Sequence, residues 1–160
     1  MFKLRRSPIN EQFASSLSNQ DTFYPSFQHD LKNCSSELII ESPFITTRRI
    51  NELLPLLRKL SKRGVKIYIN TRDPIEHKPE YAAQAYDAVT RLQDLGIVVL
   101  YTARHHRKLA IIDRQIIWEG SLNILSYSNS CEIMRRMLSS NLAEELIGFI
   151  KLTNYTGRSL

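Results

Sequence analysis

The 160-residue sequence has few cysteines and lacks long apolar runs, and both features exclude some classes of protein. Its two cysteines, Cys34 and Cys131, lie far apart, with no Cys-x-x-Cys pair and no His-Cys cluster. This spacing argues against a zinc site and predicts two buried free thiols. The longest apolar runs are strand-sized, and none follows the basic N-terminus. We therefore expect neither a signal peptide nor a transmembrane helix, which favours a cytoplasmic protein without stable membrane association.

No internal repeat is visible either, and the composition is that of one ordinary globular domain. Hydrophobic residues make up 42% of the chain and charged residues 24%, values that argue against wholesale disorder. Lys and Arg number 22 against 16 Asp and Glu, which gives a net charge of +6. That excess suits a polyanionic partner, with nucleic acid first and an anionic membrane second.

Apolar periodicity predicts an α/β domain in which helices flank a central mixed, largely parallel sheet. Residues 1–22 are polar and predict an N-terminal arm or linker, which leaves 23–160 as the domain. Pro55 is expected to kink or restart the first long helix. The predicted strands are 37–42, 65–69, 97–100, 109–112, 116–118 and 132–137, and the predicted helices are 25–34, 48–63, 79–95 and 141–152.

The stretch around which the chain is organised runs from Arg104 to Asn123 and reads RHHRKLAIIDRQIIWEGSLN. His106 and Lys108 are two positions apart, so on a strand their side chains leave the same face. Ser121 and Asn123 repeat that spacing after the next predicted strand. An imidazole, a cation and two neutral hydrogen-bond donors gathered in one place predict a site for a phosphoryl group. The whole pattern, H-x-K-x4-D-x6-G-S-x-N, consists of His106, Lys108, Asp113, Gly120, Ser121 and Asn123.

This pattern resembles the signature of the phospholipase D superfamily at every defining position, in a single-motif, nuclease-like form. The resemblance implies a phospholipase D-like fold and phosphodiester hydrolysis without a metal or another cofactor. In that family two motif copies meet at one site, where one His attacks phosphorus to form a phosphohistidine and the other protonates the leaving group. Because this chain has one copy, the resemblance implies a homodimer in which each chain contributes His106. One His must start neutral and the other protonated, which predicts a bell-shaped pH profile.

The resemblance also implies roles for the remaining motif residues. Lys108 would hold the non-bridging phosphate oxygens, Asn123 would donate hydrogen bonds to them, and Ser121 would assist. Asp113 is expected to orient Lys108 or to shape the turn that follows its strand. Glu132 stands where similar chains place a carboxylate that accepts the ring proton of the motif histidine.

Basic residues on both sides of the motif are expected to contact a nucleic-acid substrate. His105 adjoins the motif histidine, but only His106 satisfies the H-x-K spacing, so His105 is predicted to be a loop residue near phosphate. The substrate-binding candidates are Arg104, His105, Arg107 and Arg135, with Arg136 as a further member of the same track. No metal ligands are predicted.

These observations favour a homodimeric endonuclease whose substrate is DNA rather than RNA. Three alternatives remain open: an RNA endonuclease, a phospholipase or phosphatidyltransferase, and a nucleic-acid-binding module of a larger helicase or restriction enzyme. The short length, the single motif and the lack of a membrane-binding segment argue against the lipid enzyme. The intact set of His106, Lys108 and Asn123 argues against binding alone, because binding does not need a nucleophile.

Overall fold

The computed structural model describes residues 14–152, which form a seven-stranded mixed sheet flanked by four helices. The strands are β1 (Ser15–Asn19), β2 (Glu37–Glu41), β3 (Lys66–Thr71), β4 (Val98–Tyr101), β5 (Leu109–Ile112), β6 (Ile116–Gly120) and β7 (Ile133–Leu138). The helices are α1 (Phe23–Lys32), α2 (Thr47–Lys62), α3 (Pro79–Gln93) and α4 (Ser140–Phe149), with one 3-10 turn at Pro74–Glu76. Across the sheet the strand order is β1-β7-β6-β5-β2-β3-β4.

The sheet has a parallel half and an antiparallel half. Strands β2, β3 and β4 run parallel and are connected through α2 and α3, as the alternation of strands and helices predicts. Strands β5, β6, β7 and β1 are antiparallel to their neighbours, and β5 joins the halves by pairing with β2. The sheet is therefore mixed as predicted, but its antiparallel share is larger than expected, because β1 and β7 extend the β5–β6 hairpin.

Helix α2 shows how local sequence sets an element. Its N-cap is Thr46, whose hydroxyl oxygen accepts a hydrogen bond from the Arg49 N–H at 3.4 Å. Its apolar stripe, which includes Leu53 and Leu57, is buried against the sheet. Pro55 lies inside the helix without restarting it. The proline is on the exposed side, where water can hydrate the carbonyl group that its missing N–H leaves unpaired.

Two apolar cores lie on opposite faces of the sheet. The larger core lies under α1, α2 and α3 and contains the fully buried Trp118. The Trp118 indole N–H donates to Asp30 at 2.8 Å, and Arg136 binds the same carboxylate with two hydrogen bonds. The smaller core forms between the other face and α4 with the residues after it, including Ile147 and Ile150. Since α4 is the only described helix in that smaller core, part of this face stays open near β1 and β7.

Two details differ from the sequence-based expectations. Residues 15–19 are not an irregular arm but the edge strand β1, paired with β7; its sequence, SSLSN, has too few apolar residues to show a strand pattern. Residues 1–13 of the predicted arm lie outside the described residues. Cys34 is buried as predicted, and burial raises its pKa to about 12. Cys131 is exposed instead, because it lies in the loop before β7.

Candidate active site

The end of β6 and the start of β5 bring the two halves of the motif together at one edge of the sheet. Leu109 pairs with Glu119, and the Gly120 N–H donates to the Lys108 carbonyl oxygen at 3.3 Å. Only glycine fits at position 120, since a Cβ there would collide with the carbonyl oxygen of Ile133. The close approach of β6 to β7 therefore explains the glycine of the G-S-x-N segment.

His106 and Lys108 lie immediately before β5, which begins at Leu109. The His106 residue is exposed, as a group that attacks a substrate must be. The Lys108 ammonium donates to the His106 main-chain oxygen at 2.9 Å, which keeps the cation beside the imidazole-bearing residue. This contact involves the main chain of His106 and not its ring, so the side-by-side placement of imidazole and ammonium stays a prediction.

Asn123 supplies an unsatisfied polar group at the same edge. Its side-chain oxygen is buried and has no hydrogen-bond partner among the protein groups of residues 14–152. A buried acceptor without a partner costs free energy, so this oxygen is suited to a water molecule or to another hydrogen-bond donor. The Asn123 carbonyl oxygen accepts from the Ser126 N–H at 3.0 Å, which turns the chain into the loop before β7.

Ser121 and Glu132 form a linked pair across the mouth of that loop. The Ser121 hydroxyl donates to a carboxylate oxygen of Glu132 and accepts from the Ile133 N–H at 3.0 Å. The other Glu132 oxygen accepts from the Ser130 hydroxyl at 2.6 Å. Within the described part of the chain, no hydrogen bond or ion pair joins Glu132 to His106, so its predicted role as acceptor of the ring proton stays a prediction.

A buried polar network lies beneath the exposed histidine and centres on its neighbour, His105. Nδ1 of His105 accepts from the Arg107 N–H at 3.1 Å, which makes Nε2 the protonated nitrogen that donates to the Asn70 carbonyl oxygen at 3.2 Å. Burial lowers the pKa of His105 and so favours this neutral form. The fully buried Glu41 accepts from the Asn70 amide at 2.8 Å and binds the Arg107 guanidinium through both its oxygens.

This network corrects the predicted substrate contact of His105 and gives Arg107 a structural partner, while the substrate contact of Arg107, which is partly exposed, stays a prediction. His105 is only 2% exposed, so in this conformation it supports the segment from below and does not reach a substrate. The Arg107 guanidinium is bound to Glu41, and the hydrogen bonds raise the pKa of Arg107. The sequence pattern did not indicate either role, because Glu41 is a single polar residue at the end of an apolar strand and nothing in the sequence pairs it with residues 105–107.

The other predicted cations have different surroundings. Arg104 is exposed at a positive φ of 54°, and its N–H donates to Glu76 at 3.2 Å. Arg135 is exposed on β7, donates to the Ser15 hydroxyl at 3.3 Å, and lines a hollow that Lys108 also lines. Arg136 is anchored to Asp30, as described above, and is not part of an exposed cationic track. Arg104 and Arg135 therefore remain the accessible candidates.

Asp113 lies at the opposite end of β5 from Lys108 and is not brought together with the rest of the motif. Its carboxylate accepts from the N–H groups of Ser35, Ser36 and Glu37 at 2.9, 2.8 and 3.0 Å. Burial alone would raise its pKa, but these backbone hydrogen bonds outweigh it and hold the pKa well below its usual range. These contacts anchor the end of β5 to the segment before β2 and give no support to orienting Lys108, while shaping the turn after β5 stays a prediction.

Residues 14–152 contain no group of three or more His, Cys, Asp and Glu side chains that could hold a metal ion. No helix in that range combines the length and the apolar character needed to cross a membrane.

Comparisons with known proteins agree with this geometry. The model of the family described as "Cardiolipin synthase, PLD-like domain" matches residues 27–150. The structure is similar to Nuc from Salmonella typhimurium, a phospholipase D family member, with a TM-score of 0.72 and 15% identity over 92% of this chain and 97% of that one. For NucT from Helicobacter pylori the TM-score is 0.68 and the sequence identity 17%, over 88% of this chain and 94% of that one. For TrmBL2, an archaeal chromatin protein, the TM-score is 0.59 and the sequence identity 10%, over 94% of this chain and 56% of that one. No curated protein sequence shows a significant match.

A mixed sheet that carries H-x-K before one strand and G-S-x-N after the next defines the phospholipase D-like class of α/β domain. The chain belongs to the phospholipase D superfamily, in which it is a single-motif member. Membership indicates phosphodiester chemistry and leaves the substrate open.

Proposed function

We propose that this protein is a metal-independent DNA endonuclease that works through a phosphohistidine at a site shared by two copies of the chain. The observation that carries the proposal is the cluster at the sheet edge: an exposed His106, the Lys108 ammonium beside it, and the unsatisfied Asn123 amide. These groups suit an attacking nitrogen, a cation for the phosphate oxygens and, through the Nδ2 group of Asn123, a hydrogen-bond donor to them. Each chain has only one such set.

The reaction would proceed in two displacements. An imidazole nitrogen of His106 attacks phosphorus, and the bond from phosphorus to the leaving oxygen breaks as that oxygen takes a proton from His106 of the second copy. Water then attacks phosphorus and gives its proton to the second imidazole, and the phosphorus–nitrogen bond breaks to restore the first. Lys108 would stabilise the added negative charge in both steps. Glu132 would support the positive charge on an imidazole after local rearrangement of its contact with Ser121.

The open part of the sheet face suits the second copy. Leu17, Ile133 and Phe149 are 57%, 54% and 77% exposed, and together they line a hollow of about 550 Å³. Lys108 and Arg135 line the same hollow, which places it beside the motif. A second copy packed here would cover the apolar side chains and bring its own motif towards the first.

Two further observations support nucleic acid as the substrate. The net charge of +6 favours a polyanion, and Arg104 and Arg135 lie exposed on either side of the motif. TrmBL2, to which the fold is similar, is described as showing a novel mode of DNA binding. The family description names a lipid enzyme, cardiolipin synthase, so a lipid phosphodiester is the second candidate substrate.

The decisive experiment compares three substrates in the presence of EDTA: plasmid DNA, an oligoribonucleotide and phosphatidylcholine vesicles. Each is incubated with the unmodified chain, with His106→Ala, and with His29→Ala as a control at an exposed histidine on α1. Plasmid cleavage by the unmodified and control chains, and not by His106→Ala, is the expected result. Cleavage that His106→Ala retains would overturn the nucleophile assignment. Turnover of RNA or lipid alone would overturn the assignment of DNA.

A further inference from the structure

A second hollow lies on the α2 and α3 side of the motif loop, with a volume of about 200 Å³. Three aromatic side chains line it, and each is partly exposed: Phe44 by 36%, Tyr81 by 54% and Tyr127 by 40%. His77 and Gln84 add polar groups to the lining, and His77 lies against Phe44 with ring centroids 5.3 Å apart. Among the residues that the structure describes, no Asp or Glu lines the hollow. Flat apolar surfaces with a few hydrogen-bonding groups are typical of sites for planar heteroaromatic ligands.

One wall of this hollow is tied to the segment that carries the motif histidine. The Arg72 Nε–H donates to the His105 carbonyl oxygen at 3.0 Å, and the Arg72 guanidinium lies over the Phe44 ring, 5.2 Å from its centroid. A single arginine therefore spans from the residue before His106 to the aromatic wall. Arg72 thus connects this wall to the residue that precedes His106 in the chain.

The opposite wall is tied to Asn123. The Ser126 N–H donates to the Asn123 carbonyl oxygen, and the next N–H in the chain, that of Tyr127, donates to the Thr46 hydroxyl oxygen at 2.9 Å. These bonds fix the start of the loop against α2, so Tyr127 is held at the rim and not left in solvent. Both walls of the hollow thus extend from the two halves of the motif.

Arginine side chains lie against the hollow on both sides. The Arg48 guanidinium lies 3.5 Å from the centroid of the Tyr127 ring, the Arg49 guanidinium lies 5.8 Å from the same centroid, and Arg72 lies over Phe44 as described above. Glu52 pairs with Arg48 and Arg49, so part of their charge is compensated. Arg72 has no such carboxylate partner among the described residues. Aromatic rings interleaved with cations match the needs of an unpaired nucleic-acid strand, whose bases stack while its phosphates are neutralised.

We propose that this hollow is a subsite for one unpaired nucleobase next to the phosphate that is cleaved, and that the enzyme prefers single-stranded nucleic acid for this reason. The subsite rests on the function proposed above. In a duplex the base is stacked and paired with its complement, so it could enter only after being flipped out of the helix. A single strand offers its bases directly.

The test uses two single-stranded probes with the same phosphodiester backbone: an oligothymidylate, and the same oligomer with abasic tetrahydrofuran units in place of a central run of thymidines. We expect the unmodified chain to cleave within the thymidine run about tenfold more efficiently than within the abasic run. Tyr127→Ala and Phe44→Ala should bring both rates to the abasic level, because they remove the stacking surfaces. Tyr127→Phe keeps the ring and should restore the difference.

The control variant is Tyr86→Ala, at a residue on α3 that is 50% exposed and does not line the hollow. It should leave the ratio of the two rates unchanged, and circular dichroism should show that every variant is folded. Equal cleavage of both probes by the unmodified chain, or an unchanged ratio in Tyr127→Ala and Phe44→Ala, would overturn the subsite. If neither probe is cleaved, the proposed function fails on its own. The ratio of dissociation constants for the two probes, measured by fluorescence polarisation, then decides the subsite separately.

Discussion

The two ends of β5 carry residues of the same motif, yet they differ in how well their polar groups are satisfied. At the Asp113 end, three backbone N–H groups bind the carboxylate, and the Ser35 and Ser36 hydroxyls add two more hydrogen bonds. At the other end, His106 is exposed and the Asn123 amide oxygen has no partner among the described residues.

A saturated group is suited to holding the fold, whereas an unsatisfied one is suited to meeting a substrate. This difference shows that residues of the same sequence motif can have different roles. The Asp113 end should act through stability, and the His106 end through chemistry. Each of the following predictions tests that division.

The largest effect is expected from His106→Ala. It should lower phosphodiester cleavage by at least about a thousandfold, because it removes the attacking nitrogen, and should leave the free energy of unfolding nearly unchanged. The matched variant is His105→Ala, one residue earlier. It should lower the unfolding free energy by about 1–3 kcal/mol, because the Asn70 carbonyl and the Arg107 N–H lose their buried partner. Urea unfolding and initial rates on the same preparations separate the two outcomes, and a stability loss in His106→Ala would contradict the division.

The next largest effect concerns the second copy, which the proposed mechanism requires only at the His106 end. Phe149→Glu places a charge in the open apolar hollow, so we expect a monomer in light scattering and about a hundredfold less activity at the same protein concentration. Tyr86→Glu changes an exposed aromatic residue on α3, away from that hollow, and should remain dimeric and active. A fully active Phe149→Glu monomer would show that one chain completes the site.

Asp113→Asn should affect stability, with a smaller effect. The amide replaces one acceptor oxygen with a donor that faces the N–H groups of residues 35–37, so we expect a loss of about 2–3 kcal/mol in unfolding free energy. Below the unfolding transition, the activity should stay within a fewfold of the unmodified chain. Asp87→Asn, at an exposed carboxylate that lies 3.8 Å from Arg91, should cost less than about 0.5 kcal/mol. A large loss of activity in folded Asp113→Asn would restore a direct role for Asp113 in the chemistry.

The sequence predicted the fold more fully than the site. Helix and strand periods identified α1 to α4 and β2 to β7, because each element buries one apolar stripe or run. The sequence did not predict β1, because its residues show no strand pattern and it is held in the sheet by its pairing with β7. Within the site, the H-x-K and G-S-x-N spacings placed the side chains at one sheet edge. The opposite roles of His105 and His106 depend on Glu41 and Asn70, which are remote in sequence and meet this segment only in the folded chain.

The smallest predicted effect is the pH dependence of stability at the Asp113 end. Because the pKa of Asp113 is lower in the folded chain than its ordinary 3.8, the unfolded chain takes up the proton first as the pH falls. The stability that Asp113 contributes is therefore complete above pH 3.8 and declines below it. By pH 3 the difference in unfolding free energy between the unmodified chain and Asp113→Asn should shrink by roughly 1 kcal/mol. Taking that difference cancels the titration of other carboxylates, so a constant difference from pH 6 to pH 3 would contradict the role of those hydrogen bonds.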